Sequence, residues 1–522
     1  MSSDLFTTEA YWPQRLLRLD GDLIRSIQRI GPRTYDGRDS PRYNILSYTW
    51  GRWETDVGRA LPIMNTTWKI PIVDPKGFSV KSLAKVIQHV SQESHMWLDI
   101  GCIDQENQSM KMSEIGKQAA IFRGAEKAYI WLSQSKRNTL KPFILEALSR
   151  DALEIEGSLR PWLNRICAGV DLIFSDPWFS SLWCLQEGFL RRDAILLFDD
   201  ASYLDIPKFE SYSSTGGPCT LLDIVKGYQV IQTKIRANLR YYPERFGVQG
   251  VTRAQDVCQR LDNLGIPCIA QKHAIALYGV ASLRNPMREL DRIYGIMQVF
   301  GFVLGQSAQP DKEFTLSELE DQLGEAANRE NPVLAQSFIH LTDPAPDRRW
   351  CLSRNMRVFS FSPVVNRELD RPQSYCRITV KGSDARAQFH GHKAFFEDLT
   401  TRIRGPDDSG TYRSLYFDHT AENRRILPES FFGADAWLAP RIEEVKKSMQ
   451  ESVGREVAVL LIGSMDDVPL TWLGVIAHPS PVENHPNKRY WKRIGICTWD
   501  MSLDYLRNNF RDLFQKEVID LA

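Results

Sequence analysis

The 522-residue chain lacks most of the features that would assign it at a glance. Its longest apolar run, Ile293 to Leu304, is interrupted by Gly295, Gln298 and Gly301 and is too short to span a bilayer. It has no excess of either charge: 65 Lys and Arg balance 65 Asp and Glu, so no global field draws it to nucleic acid or an acidic membrane. No CxxC pair occurs among its nine scattered cysteines, which argues against a structural zinc site or a redox dithiol and for free thiols in a reducing compartment. Neither a GxGxxG turn after a strand nor a Walker-type loop is present, which removes the usual dinucleotide fingerprint and the usual ATP site. The opening Met1-Ser2-Ser3-Asp4 has none of the basic and apolar character of a secretory signal. These absences together lead us to expect a cytoplasmic protein with no membrane span, no nucleic-acid partner, no metal and no bound cofactor.

What is present is enough apolar material for several cores: 43% hydrophobic residues, with 14 Trp. Residues 1–41 read as a polar N-terminal extension. From 42 to 200 short apolar runs alternate with helical periodicity, the pattern of an α/β domain with a parallel sheet. Expected strands are Tyr43–Tyr48, Met96–Ile100, Tyr129–Leu132 and Ala194–Phe198. Expected helices include one begun by Ser79, one from Ser113 to about Gly124, and one running from Asp176-Pro177 to about Arg191. Residues 201–345 read as mostly helical, including Leu290–Phe300. From 346 to 522 β-prone runs return, at Tyr375–Val380, Val457–Ile462 and Trp472–Ile476.

Three segments carry a family resemblance, in the family's own order. Tyr43-Asn44-Ile45-Leu46-Ser47-Tyr48-Thr49-Trp50-Gly51 is the first. Trp97-Leu98-Asp99-Ile100-Gly101-Cys102-Ile103-Asp104-Gln105 is the second. The third runs from Gln118 through Ile121-Phe122 and Ala125 to Ala128-Tyr129-Ile130-Trp131-Leu132. Together they resemble the fungal heterokaryon-incompatibility (HET) domain. Asp176-Pro177-Trp178-Phe179 to Glu187 and Asp291-Arg292-Ile293-Tyr294-Gly295 resemble segments that follow in many members. Phe122 stands where Tyr is usual, and Ser181 where Arg is common. The resemblance implies self/non-self recognition ending in programmed cell death, a form of innate immunity, with an incompatibility or NLR-type partner protein and self-association. A more distant resemblance joins Ser180-Ser181-Leu182-Trp183-Cys184-Leu185-Gln186-Glu187 to the Trp-Cys-x-x-Glu segment of Toll/interleukin-1 receptor (TIR) domains. It implies a TIR-like fold and a Glu that cleaves the nicotinamide–ribose bond of NAD. A non-enzymatic module that acts by assembling with a partner is the alternative.

The residues themselves leave both readings open. Trp178, Leu182, Leu185 and Phe189 form one helical stripe, and Glu187 shares an aromatic wall with Trp183. A half-buried Glu187 needs a partner: ribose hydroxyls if it is catalytic, Arg191 or Arg192 if it is a structural ion pair. Ser47, Thr49, Trp50 and Gly51 follow the first strand, and Asp99 the second, where ligands of parallel sheets gather. Trp50 is either a stacking surface or a core aromatic, and Asp99 either a ligand contact or a tie for the Cys102–Gln105 turn. Cys102 and Cys184 have no histidine in their motifs; His89 and His95 stand elsewhere, so a thiol nucleophile is not expected. His390 and His392 lie on one strand face without a further ligand cluster. The expected site is therefore Glu187 as catalytic carboxylate, with Ser47, Thr49, Trp50, Gly51, Asp99 and Trp183 around it.

Overall fold

A computed structural model describes residues 12–91, 95–149, 159–207 and 216–271, most of 274–358, and then 373–381, 386–403, 410–418, 456–465, 471–482, 485–501 and 510–521. The chain divides into two compact units, residues 1–314 and 315–522. The boundary drawn from sequence at 345 falls inside the second.

The first unit is organised by a mixed sheet. Its parallel part runs Ile195–Leu197, Ala128–Trp131, Tyr43–Ser47, His95–Trp97. Tyr43–Ser47 lies at the centre and is buried at every position, as expected of a parallel strand covered on both faces. Side-chain alternation then distributes its contacts. On one face Tyr43 Oη donates to Ile121 O (2.7 Å), and Ser47 meets Trp178 and Glu187. On the other, Asn44 Nδ2 donates to Val90 O (2.7 Å), and Tyr48 packs near Phe78 and Trp131. The Val80–Val90 helix has the expected Ser79 cap, accepting from Ser82 N.

Several elements differ from the sequence expectation. Residues within 1–41 supply an antiparallel hairpin, Arg15–Asp20 and Leu23–Ile30, which extends the sheet past His95–Trp97 with Leu17 opposite Met96. The second parallel strand ends at Trp97, and Asp99 opens a one-turn helix, Asp99–Cys102, so it does not alternate along a strand. The helix expected from Ser113 is two helices, Gln108–Ile115 and Gln118–Gly124, with Asn107 as the first cap. Asp176 caps only a 3-10 turn, Pro177–Ser180; the chain is extended at Ser181, and a separate helix spans Leu182–Leu190. Leu290–Phe300 resolves into Asp291–Tyr294 and a 3-10 turn, Met297–Phe300. The helical expectation holds for Leu221–Tyr241 and Val248–Asn263.

The second unit opens with Leu316–Glu330, started by a Thr315/Glu318 capping box, and then becomes β-rich. Its main sheet includes Arg377–Lys381, Arg386–Phe395, Ala458–Met465, Thr471–Val482, His485–Met501 and Gln515–Leu521. Alternation sends Trp472 and Trp499 into one buried cluster and Leu473 and Ile496 into another. His390 and His392 lie on Arg386–Phe395, and no group of three metal-binding side chains occurs among the described residues. No described helix is long and apolar enough to cross a membrane.

Candidate functional site

Glu187 lies in the Leu182–Leu190 helix, which is buried at Leu182 and from Cys184 to Gly188. The buried neighbours bring its carboxylate to the end of the central strand. Ser47 Oγ donates to Glu187 Oε2 (2.5 Å) and accepts from Trp178 Nε1 (2.7 Å). Gln118 Nε2 donates to Glu187 Oε1 (3.3 Å), and Gln186 Nε2 donates to Gln118 Oε1 (3.1 Å). The carboxylate is thus the common acceptor of two hydrogen-bonded arms. Gly188 makes room for one of them: a Cβ there would lie 2.8 Å from Trp178 Cη2 and 2.9 Å from Leu221 Cδ2.

The cation partners expected of a structural Glu187 are engaged elsewhere. Arg191 donates to Phe122 O (2.9 Å) and Ala125 O (2.7 Å), closing the end of the Gln118–Gly124 helix, and pairs with Asp193 at 2.8 Å. Arg192 reaches Ile269 O and Ala270 O. Burial pushes the Glu187 carboxyl well above the ordinary range; the Ser47 hydrogen bond opposes this and the nearby Asp99 charge adds to it.

Asp99 is the second carboxylate. It accepts from Trp50 Nε1 (2.6 Å) and from Ile100 N (2.7 Å), while its own carbonyl receives Gln105 Nε2 (3.2 Å). The residue therefore both ties its turn and holds Trp50 in place. Burial raises its pKa, opposed first by the Trp50 bond. The buried Tyr48 hydroxyl sits beside it without a well-formed hydrogen bond.

Both carboxylates open into one cleft of about 270 Å³. Thr49, Trp50, Gly51, Asp99, Trp183 and Glu187 all line it. Ser47 stands behind this wall, 4% exposed, and reaches the cleft only through Glu187. Cys102 and Cys184 are buried, and burial drives both thiols upward, away from the thiolate a nucleophile requires. Trp178, expected on one helical stripe with Leu182, Leu185 and Phe189, lies instead in the separate Pro177–Ser180 turn, and neither it nor Gln118 was expected at the site, although both lie in the segments that carried the resemblance. Arg52, Lys111, Arg288 and Asp291 also line the cleft and were not expected there. Only Asp291, in its Asp-Arg-Ile-Tyr segment, carried a signal. Arg284 ties its segment to the site, donating to Ser181 O and Leu264 O (both 2.8 Å).

Residues 43–187 match the family model described as Heterokaryon incompatibility protein (HET). No curated protein and no solved structure matches the chain.

Proposed function

From the premise that this chain carries a heterokaryon-incompatibility domain over residues 43–187, we propose that the domain is a TIR-like effector that hydrolyses NAD and thereby triggers cell death. A role in heterokaryon incompatibility follows from the family. The chemistry rests on one observation: Glu187 is buried at the wall of a cleft, held by neutral donors and, among the described residues, by no cation. A buried carboxylate without a cation is costly, and the positively charged nicotinamide of NAD is a cation that relieves this cost on binding.

In the proposed reaction the ribose C1′–N bond breaks and its electron pair leaves on neutral nicotinamide. The oxocarbenium-like charge developing at C1′ is stabilised by Glu187. Water adds at C1′ and releases a proton, giving ADP-ribose. Ser47 and Gln118 hold the carboxylate; Trp50 and Trp183 supply aromatic surfaces for the ring. Burial favours the protonated form of Glu187, and the incoming cation favours the ionised form that the reaction needs.

The test is to incubate the full chain with NAD and measure free nicotinamide, alongside Glu187→Gln. Release by the wild type that the variant loses is the expected result. A protein that kills cells without consuming NAD would refute the chemistry and move the reading to assembly with a partner.

A further inference from the structure

The cleft holds three cations that the reaction at Glu187 does not use. Arg52 follows the central strand, Lys111 lies on Gln108–Ile115, and Arg288 comes from the segment after residue 281, outside the family-matched region. Arg52 and Arg288 are exposed and Lys111 is half-buried. Among the described residues none of the three meets a carboxylate within ion-pair distance. Arg52 donates instead to Ser180 Oγ (2.9 Å) and lies over the Trp53 ring.

Four carboxylates share the cleft with these cations, and among the described residues none of them is within ion-pair distance of the three. Trp50 holds Asp99. Asp291 is raised by burial and steadied by a hydrogen bond from Trp183 and by Arg288. Glu54 is exposed. Lys111 is lowered by burial first and then by the neighbouring Arg288 charge, which Asp99, Glu54 and Asp291 oppose only in part. A polyanion bound between the two cations would turn that repulsion into attraction. Size points the same way: about 270 Å³ suits one end of a dinucleotide, while the remainder must lie across the rim.

We propose that Arg52, Lys111 and Arg288 form a phosphate-binding rim, so that the cleft takes a nucleotide diphosphate and rejects nucleosides. This rests on reading the cleft as a nucleotide site and adds to it the part of the substrate that is recognised. Guanidinium groups match phosphate oxygens in forked pairs, and a flexible ammonium supplies a third contact.

The experiment uses the full chain and calorimetric binding of ADP-ribose and of adenosine, with Arg288→Ala and Lys111→Met. ADP-ribose should bind the wild type, and each variant should weaken it about tenfold or more, the scale of one lost charged contact. Adenosine should bind weakly and equally to all three proteins. Far-ultraviolet circular dichroism and melting of each variant check that folding is retained; Arg288, being exposed, is the safer of the two. Wild-type protein that binds ADP-ribose no better than adenosine overturns the rim, as do variants that bind it like wild type. ADP-ribose binding lost in the variants, in a protein that releases no nicotinamide from NAD, would leave the rim standing and refute only the hydrolysis.

Discussion

Replacing Glu187 with glutamine should cost the fold little, and the hydrogen bonds around it show why. Both arms that reach the carboxylate end in donors, the Ser47 hydroxyl and Gln118 Nε2. An amide at 187 can keep its oxygen toward Ser47 only by presenting an NH2 group to Gln118. Gln118 can meet it by turning its own amide over, which sends its nitrogen toward Gln186. Gln186 can turn in the same way, because its Oε1 is buried and has no partner. Two coupled amide flips therefore preserve the number of hydrogen bonds. The net change from hydrogen bonding should stay within about 1 kcal/mol. Charge acts in the variant's favour. The folded-state pKa of Glu187 lies above its unfolded value, so its contribution is fully present below the ordinary carboxylate range. That contribution is lost as pH rises through the folded value. Glutamine does not titrate, so the variant should gain on the wild type with rising pH. Urea unfolding of both proteins between pH 5 and pH 8 measures this. A variant less stable by about 3–5 kcal/mol at pH 8, the cost of stranding a buried cation, would refute the assignment of neutral partners to Glu187.

Glu114 offers a second pH test. Burial, opposed first by the Gln14 N–H, raises its pKa from near 4.5 to about 7. Its contribution is present below pH 4.5 and lost through pH 7. Glu114→Gln should therefore gain about 3 kcal/mol on the wild type between those values, and an unchanged difference across the range would contradict it. Gly188→Ala should lower stability by about 1–3 kcal/mol, because its methyl group meets Trp178 and Leu221 closer than 3.0 Å. The shifted indole should also weaken the hydrogen bond to Ser47, and a crystal structure of this variant with the 2.7 Å bond intact would sink that link.

The parallel strands were legible because strands covered on both faces read as continuous apolar runs, as Tyr43–Ser47 and Ala128–Trp131 do. The hairpin of Arg15–Ile30 was not, since Arg15, Arg18, Asp20, Arg25 and Arg29 break its apolar pattern. Helix ends were lost where a short break interrupts a periodic stretch, at Gly116-Lys117 and at Ser181. Thr49, Trp50, Gly51 and Asp99, which line the cleft, could be picked out because they follow strand ends within the motifs. Lys111 and Arg288 could not, because a cation on a helix or in a connecting segment looks the same in sequence whether it faces solvent or a cleft.

The hairpin that extends the sheet bears on how this domain is inherited. A segment cut at residues 43 and 187 would leave the His95–Trp97 edge without Arg15–Asp20 and Ala128–Trp131 without Ile195–Leu197. Bare strand edges invite pairing with other chains. The cut would also discard Arg284, Arg288 and Asp291. The recognisable motif is thus smaller than the physical module that carries it. A gene fusion that transplants only the motif moves a signature without its scaffold, whereas residues 12–314 travel with both of these strands paired and with the cleft-lining residues together.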